Sequence, residues 1–150
     1  MRRWLRYAFT TAAAVLTASG IAYFWMKYMM QTGDPFAVVN HPLQPAMLDV
    51  HVLAAPAFLV LFGIVVNSHV AGRIGRAVPN RRSGLVALGT IVIMTVSGYL
   101  LQVVTSEAWQ RACVIAHLAS GAVFAVAYVA HLAISARLWA AGRCTDRAAA

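Results

Sequence analysis

Four histidines stand inside long apolar stretches of this chain, two to a stretch: His51 and His69 in one, His117 and His131 in the other. A neutral imidazole is a common transition-metal ligand, and ionisable groups inside apolar spans are rare and usually functional. Spacing sorts the four into pairs. The first pair lies 18 residues apart, about 1800° of helical rotation, so both rings leave the same side of a helix. The second pair lies 14 apart, about 1400°, roughly 40° short of four whole turns. Two such stripes, each with an imidazole near either end, could clamp two flat iron macrocycles at two depths. Histidine is a standard axial ligand of haem iron, and the chemistry expected is one-electron transfer.

The elements that must carry these rings follow from composition. Of the 150 residues, 61% are apolar and 11% charged, outside the range of ordinary soluble domains. Four apolar runs can be read, at about Tyr7–Met30, Met47–Val70, Leu85–Thr105 and Trp109–Leu138. Each reaches the roughly 20 residues that cross a hydrocarbon core of about 30 Å. In lipid the backbone must satisfy itself, which such runs do as helices. Short connections favour antiparallel neighbours. The fold expected is therefore all-α, an integral membrane up-down four-helix bundle in one transmembrane domain, with 141–150 as a cytoplasmic tail.

The net charge of +8 is explained by topology rather than by nucleic acid. Arg2, Arg3, Arg6, Arg73, Arg76, Arg81, Arg82, Arg137, Arg143 and Arg147 fall on one side if the helices alternate. Lys27 and Arg111 fall on the other, with Asp34, Asp49 and Glu107. The positive-inside rule then places both termini in the cytoplasm. The arginine-rich start followed by an apolar run has the outline of a secretory signal. The run continues through Trp25 and Met26, however, and reads as an uncleaved first span. Cys113 and Cys144 fall at opposite ends of the fourth run, so they cannot pair within one chain. There is no Cys-x-x-Cys-His, which excludes c-type haem attachment.

Alternation makes the second and fourth runs parallel. His51 then pairs with His117 near the outer face, and His69 with His131 near the inner face. The first pair would span about 27 Å and the second about 21 Å at 1.5 Å per residue. Two haems b, bound non-covalently, are expected, or one if His69 does not ligate. Phe58, Phe62 and Phe124 share the histidine faces and could fill the space between cofactors. Gly121, four residues after His117, could leave room for a porphyrin edge. Lys27 and Arg111 on the outer side, and Arg73 and Arg137 on the inner, are the bases available to haem propionates. His41, Asp49, Gln102 and Glu107 form a polar outer lip where a quinone could exchange protons. Pro56 interrupts the second run and removes one backbone donor. The segment about Gln31–Ala46, with three prolines, reads as a shaped loop, and Pro79-Asn80 as a turn. No internal repeat stands out beyond the two histidine-bearing helices.

The pattern of four histidines, with His51-Val-Leu-Ala-Ala-Pro56, Asn67-Ser-His69 and Ser97-Gly-Tyr-Leu-Leu-Gln102 around them, resembles bacterial four-helix b-type membrane cytochromes. That group includes membrane subunits of respiratory formate dehydrogenases and nickel-iron hydrogenases. It is also similar to the haem-bearing helix pair of the cytochrome b of quinol–cytochrome c reductases, where each helix carries two histidines with thirteen residues between. His117 and His131 match that interval; His51 and His69, with seventeen between, depart from it. Several four-helix relatives take a ligand from the first helix, which here has no histidine. The resemblance implies di-haem electron transfer linked to quinone, in a bacterial inner membrane.

The expected function is therefore an electron conduit across the bilayer, between the quinone pool and a redox partner protein. No residue stands out as catalytic in its own right. Two other classes compete: a histidine-based transporter of a transition metal or of haem, and a cofactor-free membrane anchor for an enzyme.

Overall fold

The computed structural model describes residues 2–34, 36–72, 75 and 81–148, with side chains through Ala141. All regular structure among them is helical: α1 (Arg3–Phe24), α2 (Gln44–Val65), α3 (Arg81–Val103) and α4 (Glu107–Ala148). Two of the helices end in one π turn each, Trp25–Met29 after α1 and Val66–Val70 after α2. All four are long and apolar enough to cross a membrane. With the π turns counted, the first two spans have 27 residues each and the shortest is α3 with 23, about 35 Å at 1.5 Å per residue, which exceeds a hydrocarbon core of about 30 Å. Exposed Trp4 and Tyr7 sit near the start of α1 and exposed Trp25 and Tyr28 at its far end; exposed Tyr99 and Trp109 flank the α3–α4 connection and exposed Trp139 lies toward the end of α4. Such aromatic rings favour the boundary between lipid and water.

The chain divides into two compact units, Met1–Arg76 and Ala77–Ala150. In the first, α1 packs along α2; in the second, α3 packs along α4. Both pairs are antiparallel. Phe9 stacks on Phe58, while Ser19, ten residues later, meets His51, seven residues earlier. In the second unit Ser83 meets His131 and Ser97 meets His117. These are two up-down pairs, the building units of the expected bundle.

Each seam is narrow. In the first hairpin Leu5, Phe9, Ala13 and Ser19 of α1 are buried, with Phe58 and Val65 of α2. In the second, Ala87, Thr90, Ile91 and Ser97 of α3 are buried, with Cys113, Ser120 and Phe124 of α4. Small residues let helix axes approach where lipid offers no hydrophobic drive to pack. The hydroxyls are satisfied within their own helices: Thr90 donates to the Val86 and Ala87 carbonyls, and Ser120 to the Ala116 carbonyl.

The loop between α1 and α2 is shaped by side chains as well as by prolines. Asn40 Nδ2 donates to the Lys27 carbonyl at 2.9 Å, which ties the loop to the end of α1. The Leu43 N–H donates to His41 Nδ1 at 3.1 Å, and the Asn40 N–H to Gln44 Oε1 at 3.1 Å. These contacts satisfy backbone donors just ahead of α2, whose start carries Pro45, where a missing N–H costs nothing. Helix α2 runs on through Pro56. Helix α4 continues to Ala148, ten residues beyond the end of its apolar run.

Candidate functional site

His51 meets a cradle on α1 built from Ser19 and Gly20. Its Nδ1 lies 3.0 Å from the Leu16 carbonyl oxygen and 3.2 Å from Ser19 Oγ. The ring lies directly over Gly20: a Cβ there would come within 2.9 Å of His51 Cε1 and 3.2 Å of Nδ1, with Nε2 at 3.9 Å. Ser19 Oγ donates to the Val15 carbonyl at 2.7 Å, the back-bonding common for serine within a helix.

The second hairpin repeats this geometry. His117 Nδ1 lies 3.1 Å from the Met94 carbonyl oxygen and 3.2 Å from Ser97 Oγ. A Cβ on Gly98 would fall 3.0 Å from His117 Cε1. Ser97 Oγ donates to the Ile93 carbonyl at 2.7 Å. His131 sits in a third cradle: Nδ1 is 3.2 Å from Ser83 Oγ, and a Cβ on Gly84 would lie 3.4 Å from Cε1. All three rings are half-buried.

The two hairpins therefore share a local plan. Thr17-Ala18-Ser19-Gly20 in α1 corresponds to Thr95-Val96-Ser97-Gly98 in α3. A buried phenylalanine follows the cradled histidine by seven residues in each case, Phe58 after His51 and Phe124 after His117. Sequence reasoning found the histidines and missed the cradles. A signal was present: Ser83-Gly84 and Ser97-Gly98 are 14 residues apart, the same interval as His117 and His131. A fourth Ser-Gly, at 120–121, holds no imidazole; a Cβ on Gly121 would face Met94 Sδ at 3.6 Å.

His69 differs from the other three. It lies in the π turn that closes α2, where the Ala71 N–H bonds the Val66 carbonyl at 2.8 Å. A turn closed from residue i to i+5 holds one residue more than an α turn. The whole-turn arithmetic that aligned His69 with His51 therefore does not carry through this segment. The one Ser-Gly pair of α1 is taken by His51.

The remaining expected residues are placed as follows. Phe58 turns into the seam of its hairpin, stacked on Phe9 at 5.0 Å and beside Phe62 at 6.4 Å. Phe124 is buried and stacks on Tyr128 at 5.4 Å. Gly121 closes onto α3 at Met94. Lys27 Nζ donates to Tyr23 Oη at 3.1 Å and stands over the Tyr23 and Tyr28 rings. Arg111 and Glu107 are exposed and paired with each other at 2.6 Å. Arg137, Asp49 and Gln102 are exposed, and His41 Nδ1 is engaged by the loop backbone. Arg73, Arg76 and the Pro79-Asn80 turn lie outside the described residues. Cys113 is buried as a free thiol.

Among the described residues no three His, Cys, Asp or Glu side chains gather to hold a bare metal ion. Compared with known proteins, the chain matches no family model, no curated protein and no solved structure.

The donor chemistry fits an axial ligand of haem. In metal sites the ligating imidazole usually gives its other N–H to a carbonyl or comparable acceptor, which fixes the ring and raises its basicity. His51 and His117 hold Nδ1 against a backbone carbonyl and a serine hydroxyl. Nε2 is then the nitrogen suited to a metal.

Proposed function

We propose that this chain is a membrane-integral b-type cytochrome that carries electrons across the bilayer, between the quinone pool and a redox partner protein. Two haems, held without covalent attachment, are ligated by His51, His117, His69 and His131, or one haem if His69 does not ligate. Haem iron supplies the one-electron redox chemistry; ligation, orientation and a low-dielectric wall come from the protein. The observation that carries the reading is the Nδ1 contact of His51 and His117 on the backbone of the neighbouring helix, inside apolar spans.

The chain's own residues do the following. His51, His117 and His131 present Nε2 from rings steadied by Ser19, Ser97 and Ser83. The buried Phe58 and Phe124, one on each hairpin seam, keep water from the helix contact. Lys27, Arg111 and Arg137 are the described bases for haem propionates, and charge-assisted pairing of this kind is the stronger class of hydrogen bond. The quinone is assigned to the lip residues His41, Asp49, Gln102 and Glu107. Both termini are assigned to the cytoplasm on the distribution of arginine, and the membrane to the bacterial inner membrane on the resemblance to bacterial b-type cytochromes.

The test is a reduced-minus-oxidised absorption spectrum of the purified protein, with haem extracted and counted. A sharp b-type band with two haems per chain is expected. A protein that takes up no haem when haem supply is ample would sink the reading. Quinone reactivity is read separately, by quinol-driven haem reduction in wild type and in His41→Ala.

A further inference from the structure

We propose that the Ser-Gly pairs at 19–20 and 97–98 are positioning elements that hold each facing imidazole, His51 and His117, in one tautomer, with the proton on Nδ1 and the lone pair on Nε2. The proposal rests on the reading of these histidines as metal ligands and names the residues that prepare them.

Hydrogen counting carries the argument. A serine hydroxyl has one hydrogen. Ser19 Oγ lies 2.7 Å from the Val15 carbonyl, its shortest contact, and Ser97 Oγ lies 2.7 Å from the Ile93 carbonyl. Each hydroxyl therefore meets the imidazole as an acceptor. The Leu16 and Met94 carbonyls can only accept. With acceptors at 3.0 and 3.2 Å from His51 Nδ1, and at 3.1 and 3.2 Å from His117 Nδ1, the proton must be on Nδ1. Ser83 Oγ lies at the same 3.2 Å from His131 Nδ1, a contact in which either group can donate, so the tautomer is assigned for His51 and His117.

The glycine explains why these carbonyls are reachable. Within α1 the Leu16 carbonyl accepts the N–H of Gly20, four residues on, and within α3 the Met94 carbonyl accepts that of Gly98. Each of these oxygens has a second lone pair. A side chain four residues after the carbonyl would stand in the path of an incoming ring. Without a Cβ at 20 or 98 the imidazole lies on the backbone, and its Nδ1 reaches the oxygen. Serine, one residue earlier, adds the second acceptor beside it. The pair Ser-Gly is thus a two-part device, in which glycine opens the carbonyl and serine widens the acceptor.

His41 provides an internal contrast. The Leu43 N–H donates to its Nδ1 at 3.1 Å, so the neutral ring must carry its proton on Nε2. The geometry assigns opposite tautomers to His41 on one hand and to His51 and His117 on the other.

The test is a long-range proton–nitrogen NMR spectrum of the full chain, with 15N-histidine, expressed under haem limitation and held in detergent micelles. His51 and His117 should show a protonated Nδ1 and a bare Nε2, and His41 the reverse. Gly98→Ala should turn His117 into a tautomer mixture and leave His51 unchanged. A mixture or a protonated Nε2 at His51 and His117 in the wild-type chain overturns the proposal. In haem-loaded protein, Ser97→Ala should raise the midpoint potential of one haem, and Ser97→Thr should restore it; equal potentials in all three proteins count against it. Haem titration of the same samples separates the two readings. The expected tautomers without haem uptake defeat the cytochrome assignment alone, whereas haem uptake with mixed tautomers defeats the cradle alone.

Discussion

Ser97 Oγ lies 3.2 Å from His117 Nδ1, the separation that Ser19 keeps from His51 and Ser83 from His131. One contact recurs three times over two hairpins while the surrounding side chains differ. Its tolerance to change depends on how closely each ring lies on its glycine.

Gly20→Ala and Gly98→Ala should be destabilising, and Gly84→Ala milder. The added Cβ would stand 2.9 and 3.0 Å from Cε1 in the first two cases and 3.4 Å in the third. Overpacking of this kind costs about 1–3 kcal/mol. Thermal unfolding in detergent reads the order; a Gly84→Ala variant weaker than Gly98→Ala would contradict it.

Gly121→Ala should behave in the opposite way. Its Cβ would meet Met94 Sδ at an ordinary 3.6 Å. A helix interior gains up to about 1 kcal/mol from alanine over glycine. Unfolding temperature should stay level or rise. Loss of haem in this variant would instead mean that a porphyrin edge uses the space.

His117→Ala and His131→Ala should each lower the haem count from two to one per chain, measured by extraction. Full haem content in either variant would refute ligation by that residue. His69→Ala reads the fourth ligand in the same way.

Phe9 and Phe58 should show coupling in a double-mutant cycle. Their rings stack at 5.0 Å with 29° between planes. An aromatic pair of this kind contributes about 0.5–1.5 kcal/mol beyond area. Single and double alanine variants, compared by unfolding free energy, should show a coupling of about 1 kcal/mol; additive losses would dismiss it.

Arg111→Gln should change stability by less than about 0.5 kcal/mol, since its pair with Glu107 is exposed on both sides. A larger fall in haem content than in stability would show that the guanidinium serves a propionate.

The spans were legible because lipid demands long uninterrupted apolar runs, and these show in any window of the chain. Their ends were less so. Arg3, Arg81 and Glu107 open helices although they lie outside the apolar runs, since hydropathy marks where lipid begins and not where backbone hydrogen bonds stop. His51, His117 and His131 stood out because an imidazole is rare in such company. Ser19, Ser83 and Ser97 did not, because serine and glycine are ordinary at helix contacts in membranes. Only the antiparallel register of α3 on α4 turns two 14-residue intervals into two matched contacts. The phase of His69 is not legible in the sequence for a local reason: a π turn leaves no mark in composition, yet it shifts every residue after its start.

Every described contact of a cradle lies between consecutive helices. Chain order therefore matters to assembly. Once α1 and α2 have been inserted and have met, His51 has its partners; once α3 and α4 have done so, His117 and His131 have theirs. Each of these three imidazoles can be set during biosynthesis by its own hairpin, so that any cofactor arriving afterwards would meet rings already aimed.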